Sequence, residues 1–314
     1  MTAPPDIRAH RLLYGCMGLG GGWDTLPYTA EDVGRAEAAV EAALAAGITA
    51  FDHADIYRFG KSEAVFGEVL ARAPGLRERI TVQTKCGIRL PEGGRVGHYD
   101  LRAASIVRRV EESLARLRTD TVDVLLLHRP DPLADPDEIA GALTSLHSQG
   151  LVRQFGVSNM SGPQIASLQA RLEVPLVVDQ LEMSLAHRDW VEAGVLFNTP
   201  AAAGTGWPPG TLEHCAAAGI RLQAWGALAR GRFTEGDDTP AGRLVADLAR
   251  SKGTTPQTVL LWWLQRHPAG IAPVVGTTRP ERIRACADAV SGETRLSHEE
   301  WYELWVAARG TPLP

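Results

Sequence analysis

The sequence predicts an α/β protein: a parallel, eight-stranded (β/α)8 or TIM barrel with its active site at the C-terminal ends of the strands. Three observations point there. Short runs rich in Val, Ile and Leu alternate with longer helical patterns over the 314 residues, as parallel strands under covering helices do. No Gly-x-Gly-x-x-Gly joins the first strand to the first helix. The stretch "GLGGGW" at 18–23 has the glycines without the spacing, which argues against an open doubly wound sheet. Several strand candidates also finish on charged or polar residues.

The elements follow in order. "RLLYGCM" (11–17) is the first strand and an alanine-rich helix covers 32–46; "GITAFD" (47–52) is the second, with a helix over 62–70. "RITVQTK" (79–85) leads into a loop holding Pro91, Gly93, Gly94 and Gly97, then a helix over 101–117. "TVDVLLLH" (121–128) precedes a helix over 136–149, and "VRQFGVS" (152–158) one over 162–170. "PLVVDQ" (175–180), "IRLQAW" (220–225) and "IAPVVG" (271–276) complete the eight strands. The piece from 182 to 210 reads as a long functional loop. No linker, low-complexity tract or repeat divides the chain, so 1–314 is expected to be one domain.

Composition removes several function classes. The net charge of -5, with dispersed Lys and Arg, leaves no footprint for nucleic acid or an acidic membrane. Cys16, Cys86, Cys215 and Cys286 lack CxxC spacing, so neither a metal site nor a disulfide framework is expected, and a cytoplasmic setting fits. The N-terminal "MTAPPDIRAH" has no signal-peptide run, and no window approaches a membrane span. No pattern specifies an oligomeric state.

The polar strand ends carry the chemistry. Asp52 ends the second strand shortly before Tyr57, Lys85 ends the third and His128 ends the fourth. Singly, each could be a cap, a packed ring or a solvated end. Together they form a proton-donating device, because a nearby ammonium stabilises a phenolate and lowers the tyrosine pKa. Lys85 is the ammonium, Asp52 its counter-charge, and His128 a group to orient a carbonyl beside the Tyr57 hydroxyl. His53 and Asp55 flank these groups, and His53 reads as a packing residue. Cys86 falls on the opposite strand face from Lys85, where a nucleophilic role is not expected. Trp262 and Trp263, in "LLWWLQRH", read as barrel cover.

The stretches "FDHADIY", "QTKCGI", "LLLHRPDP", "FGVSN" and "AWGALARGRF" resemble the aldo-keto reductase superfamily in order and spacing. Their wording is closest to its bacterial oxidoreductases with Lys-Cys-Gly-Ile and His-Arg-Pro-Asp motifs. The resemblance implies that Asp52, Tyr57, Lys85 and His128 are the catalytic tetrad of a nicotinamide-dependent carbonyl reductase, with Tyr57 as general acid. It implies a cofactor site made by Ser158, Asn159 and Gln180 around the carboxamide and Trp225 stacked on the nicotinamide, with Asp52 also among the cofactor-binding residues. Gly226, Ala227 and Leu228, where the family often has Ser-Pro-Leu, would follow the pyrophosphate. Gly276, Thr277, Thr278, Arg279 and Arg282 match the adenosine 2′-phosphate loop, with Gly276 in place of the usual lysine. Gly15, Cys16 and Met17 would border the nicotinamide ribose. NADPH is expected over NADH, with a small-molecule carbonyl as partner, and Trp23, Tyr99 and Trp207 are the substrate-pocket candidates.

Two rival functions are compatible with parts of this pattern. A lysine Schiff-base enzyme also places a lysine at a strand end, but a carboxylate beside Lys85 keeps it charged and unreactive. A redox-sensing module resembling potassium-channel β subunits would keep the tetrad while serving a partner protein.

Overall fold

The computed structural model describes residues 6–234, 236–291 and 295–314. Residues 1–5, part of the N-terminal stretch discussed above, lie outside the described residues. Eight strands close into a parallel barrel: β1 (Leu13–Gly15), β2 (Ala50–Asp52), β3 (Thr81–Cys86), β6 (Val122–Leu127), β7 (Val152–Ser158), β8 (Leu176–Glu182), β9 (Arg221–Trp225) and β10 (Ala272–Val275). Between β3 and β6, β4 (Ile88–Arg89) and β5 (His98–Tyr99) form a separate antiparallel hairpin. The helices are α1 (Ala30–Ala45), α2 (Lys61–Arg72), α3 (Ala103–Leu117), α4 (Pro136–Ser148), α5 (Gly162–Gln169), α6 (Asp189–Val195), α7 (Thr211–Ala217), α8 (Pro240–Lys252), α9 (Pro256–Gln265), α10 (Pro280–Arg284) and α11 (His298–Arg309).

The barrel interior is apolar at the bottom and polar at the top. A 3-10 turn at Ile7–Ala9 inserts Ile7, fully buried, against Leu13, Ala50, Val124, Val178 and Ala272 near the strand beginnings. Period-two alternation then carries Asp52, Gln83, Gln180 and Gln223 inward higher up, with Lys85 one inward position beyond Gln83, and their side chains meet. Gly156 keeps the wall closed. A Cβ there would stand 2.6 Å from the Val178 carbonyl oxygen and 2.7 Å from Leu126. Outside the strands lies the larger core, where Tyr14 meets Phe51 edge to face and Phe51 packs tilted against Phe66.

The boundaries depart from expectation for local reasons. α1 starts at Ala30, two residues before the expected 32, because Thr29 and Asp32 form a capping box; such a cap contributes about 1 kcal/mol. β1 is shorter than 11–17 since Cys16–Gly18 turns as a 3-10 segment. β2 begins at Ala50 rather than 47, because Gly47, at φ 79, still belongs to the turn leaving α1. His128 lies one residue beyond β6 rather than ending it, and β8 continues two residues past Gln180. The 182–210 piece is not irregular throughout. It contains α6 and a 3-10 segment, Pro200–Gly204. Trp262 and Trp263 are buried in α9, as barrel cover requires; Trp263 stacks on Trp301 at 5.2 Å, and each indole N–H donates to the other's carbonyl. Among the described residues no helix is long and apolar enough to cross a membrane.

Candidate active site

β2, β3 and β6 bring four ionisable side chains to one rim of the barrel. Lys85 is 1% exposed, so its charge must be answered within the protein. Its Nζ donates to both Asp52 carboxylate oxygens at 2.7 Å and to the His53 carbonyl at 2.9 Å, and lies 3.4 Å from the Tyr57 hydroxyl. Burial alone would lower the lysine pKa, but Asp52 and Tyr57 outweigh it and the pKa sits above its ordinary value. Asp52 is held further by Gln83 Nε2 at 2.6 Å and Gln180 Nε2 at 3.2 Å.

Tyr57 opens a 3-10 turn in which Arg58 and Phe59 adopt left-handed φ values of 52° and 60°. Arg58 Nε donates to the Met17 carbonyl at 3.1 Å, which ties this turn to the loop after β1. The expectation of an acidified phenol needs correction. Burial raises the Tyr57 pKa by more than Lys85 lowers it, so the net shift is upward from 10. At neutral pH the phenol keeps its proton until a negative oxygen forms beside it. His128 is pushed well below its ordinary pKa by burial and by Lys85 and Arg129, so its ring is neutral and can donate one N–H. The Tyr57 and His128 rings meet edge to face at 6.0 Å. The Asp52–Lys85 contact also bears on a Schiff-base role, because a lysine held protonated is not a nucleophile.

The next strands assemble a second cluster beside the first. Asn159, in the left-handed region at φ 58, donates from Nδ2 to Ser158 Oγ at 2.7 Å and to the His128 carbonyl at 3.3 Å. Its Oδ1 accepts from Trp225 Nε1 at 3.2 Å. Ser158 Oγ donates to the Gln180 carbonyl at 2.8 Å, and Gln180 Nε2 reaches both Asp52 and Gln223. The donors expected to grip a carboxamide are therefore engaged with one another. Trp225, its edge fixed by Asn159, is partly exposed, with the Arg129 guanidinium 6.0 Å from its ring centroid.

The loops that follow could hold the rest of a dinucleotide. Gly226 (φ 67) is exposed, Ala227 buried and Leu228 half-buried after β9. Gly276, Arg279 and Arg282 are exposed after β10, with Thr277 and Thr278 half-buried. Tyr14 donates to the Thr277 carbonyl at 3.0 Å, which joins the ends of β1 and β10. Gly15 lies at the end of β1, where a Cβ would meet Val274 at 2.9 Å. Exposed cations at one end and a flat aromatic at the other suit a nicotinamide dinucleotide with an anionic adenosine end. Met17 is exposed, but Cys16 is fully buried with its Sγ 3.7 Å from the Tyr14 carbonyl, so its thiol presents no exposed surface.

The substrate candidates separate in space. Trp207 and Trp225 share a cavity of about 400 Å3 with Arg129, Asn159, Glu182 and His187. Trp23 is not part of it; it stacks over the Arg58 guanidinium at 5.3 Å and meets Phe59 edge-on. Tyr99 stands exposed on β5 and is not among the residues lining that cavity.

The chain matches the Aldo/keto reductase family over residues 11–305. It belongs to that family. It is 37% identical to a 6-dehydroglucose reductase of Agrobacterium fabrum, with 97% of this chain and 96% of that one covered. It is 41% identical to the uncharacterized oxidoreductase YcsN of Bacillus subtilis, over 85% and 86%. Its fold matches an aldo/keto reductase of Klebsiella pneumoniae in complex with NADP and acetate: TM-score 0.72, 25% identity, 97% and 92% coverage. The protein is thus an NAD(P)H-dependent oxidoreductase of this family.

In this aldo/keto reductase several supporting residues escaped sequence reasoning. Gln83 and Gln223 exchange hydrogen bonds at 2.8 and 3.0 Å across the barrel and so orient the amide that reaches Asp52. The signal was present: each stands two residues before an inward side chain, Lys85 or Trp225. Asp55 is a second case. It is 2% exposed, its backbone N–H donates to the Lys85 carbonyl at 3.0 Å, and Arg109 Nε of α3 lies 2.8 Å from its carboxylate. Arg109 in turn contacts Glu112 at 2.8 Å, so the loop between Asp52 and Tyr57 is bolted to α3. His53, in the same loop, is buried against Phe66 at 4.5 Å; burial and then Lys85 push its pKa down to about 3.

Burial outweighs Arg109 and pushes the Asp55 carboxyl up to about 7. A carboxyl with a raised folded pKa stabilises the fold below its ordinary 3.8 and loses that contribution as pH rises through about 7. Asp55→Asn cannot titrate. Its melting temperature relative to wild type is therefore expected to climb between pH 4 and 7.5 and then level off. Parallel melting curves across that window would show that Asp55 titrates normally in the folded protein.

Proposed function

We propose that the protein reduces an aldehyde or ketone to an alcohol with NADPH, using Tyr57 as the proton donor. The observation that carries this reading is the buried Lys85, bonded to both oxygens of Asp52 and 3.4 Å from the Tyr57 hydroxyl. A bound nicotinamide supplies the hydride to the carbonyl carbon. Neutral His128 donates to the carbonyl oxygen and orients it toward Tyr57. As negative charge grows there, the Tyr57 proton moves onto it, and the Lys85 ammonium steadies the phenolate until solvent returns a proton. Asp52 keeps that ammonium charged, and Gln83 and Gln180 keep Asp52 in place.

The cavity beside Trp225 supports a polyhydroxylated carbonyl as substrate. Two indole faces, an arginine, a glutamate and amide groups suit a molecule that alternates C–H patches with hydroxyls. The relative named 6-dehydroglucose reductase is in keeping with that class. One such domain over 1–314 and a reducing, cytoplasmic setting complete the reading; four buried free thiols support the latter. The test is a panel of simple, aromatic and sugar-derived carbonyls followed by NADPH absorbance. Turnover of at least one class supports it. NADPH binding without turnover of any carbonyl, together with a co-purifying partner, would favour the redox-sensing alternative.

Cofactor choice rests on Arg282, exposed on α10 near Thr277 and Arg279. A guanidinium fork fits the 2′-phosphate that only NADPH carries. Arg282→Ala is expected to weaken NADPH by roughly 10- to 100-fold and leave NADH nearly unchanged. Fluorescence titration of both cofactors checks this, and equal losses would remove Arg282 from the phosphate site.

A further inference from the structure

The β4–β5 hairpin has two unlike faces. Its register sets Ile88 opposite Tyr99 and Arg89 opposite His98, so the two pairs point to opposite sides. The Arg89 side shares a cavity of about 270 Å3 with the start of α3. Four guanidiniums line it, those of Arg89, Arg95, Arg102 and Arg108, against the carboxylates of Glu92 and Asp100. In a chain of net charge -5 this is a local reversal of sign.

The internal pairing does not neutralise it. Asp100 is spent on Arg102, at 2.8 and 2.9 Å. Among the described residues Arg108 has only a 3.8 Å contact with Glu112, and a buried Nη1 of Arg89 has no acceptor. The helix adds to the imbalance: α3 begins with Arg102 at its N-cap, without a side-chain cap and without an acidic residue in its first turn. A helix N-terminus carries partial positive charge, so these arginines repel both one another and the helix end.

We propose that this cavity binds a phosphate-class dianion, at a site separate from the loop after β10. Guanidinium forks grip phosphate oxygens in pairs, and several converging forks suit a dianion better than a single carboxylate. Such a ligand pins the hairpin to α3. The hairpin starts just beyond Cys86, whose carbonyl accepts the His128 backbone N–H at 2.9 Å, and Gly87 between them has Leu101 2.4 Å from its Cβ position. An anion held there is therefore transmitted to the backbone that carries His128.

The test is calorimetric titration of the full-length protein with inorganic phosphate, against a chloride control of equal ionic strength. The wild type is expected to bind with a Kd below about 1 mM. Arg89→Gln and Arg108→Gln should each weaken binding by roughly tenfold or more, while Arg282→Ala, at the proposed 2′-phosphate loop, leaves in place the binding that depends on Arg89 and Arg108. No binding, binding indifferent to Arg89 and Arg108, or loss confined to Arg282→Ala each overturns the proposal. This arm does not depend on the reductase reading, so the two can fail separately. A kinetic arm, which does rest on that reading, separates the sources of the phosphate. If Arg89→Gln raises KM only for a phosphorylated aldehyde and not its unphosphorylated parent, the anion is a substrate tail. If free phosphate alters turnover of the parent aldehyde in wild type but not in Arg89→Gln, it is an effector. Either supports the site.

Discussion

Tyr57→Phe is expected to fold normally, bind NADPH with nearly wild-type affinity and slow carbonyl reduction by about 100-fold or more, the usual cost of losing a general acid. The substitution removes one oxygen and keeps the ring against His128, a contact that runs edge to face at 6.0 Å. It removes no partner of Asp52, since Lys85 retains both carboxylate bonds and the His53 carbonyl. Stopped-flow measurement of a single turnover isolates the chemical step from product release. Near-wild-type rates in Tyr57→Phe would mean the proton reaches the substrate from elsewhere. The upward shift of the Tyr57 pKa adds a signature: wild-type reduction should stay level through neutral pH and fall only in the alkaline range, since the acid remains loaded until then. Oxidation of the alcohol, which needs the phenolate, should rise with pH over the same range.

The parts of this site that were legible in the sequence share one physical property. Asp52 and His128 stand where an apolar run stops, Lys85 is a charge inside a strand, and alternation fixes which face of a strand each side chain takes. The barrel was legible for the same reason, since covered parallel strands must be apolar nearly throughout. Gln83 and Gln223 obey that alternation too, but glutamine carries no charge to mark it as unusual inside a strand. What escaped depends on tertiary contact. The seven residues of α6 form less than two turns, too few for a helical period to emerge, and buried Trp190 fixes it by packing. The Asp55–Arg109 pair joins residues 54 positions apart in the chain, one in a loop and one on a helix, with no local pattern to link them. The direction of the Tyr57 shift escaped for a related reason: a neighbouring ammonium can be inferred from strand order, but the depth of burial that outweighs it cannot.

Lys85→Met should damage both stability and catalysis, and the two losses can be pulled apart. Methionine fills much of the lysine's volume, so the main structural consequence is electrostatic. Asp52, 2% exposed, would keep only Gln83 and Gln180 as donors around a buried negative charge. Breaking a buried pair from one side costs about 3–5 kcal/mol, because the remaining charge has neither water nor counter-ion. Lys85 has a folded pKa above its ordinary 10.5, so its contribution is present below about pH 10.5 and lost only as pH rises beyond that. Between pH 6 and 9 the wild-type Lys85 stays charged, so its own titration adds no slope to the stability gap measured in denaturant titrations. Catalysis should fall by about 100-fold or more, because the ammonium that steadies the departing phenolate is gone. The double variant Asp52→Asn/Lys85→Met removes both charges, and should regain most of the stability while recovering none of the activity. Recovery of turnover in the double variant would mean that Lys85 serves the fold alone. A single variant as stable as wild type would mean that Asp52 finds water or another cation when Lys85 is absent, so that the rim is wetter than its burial indicates.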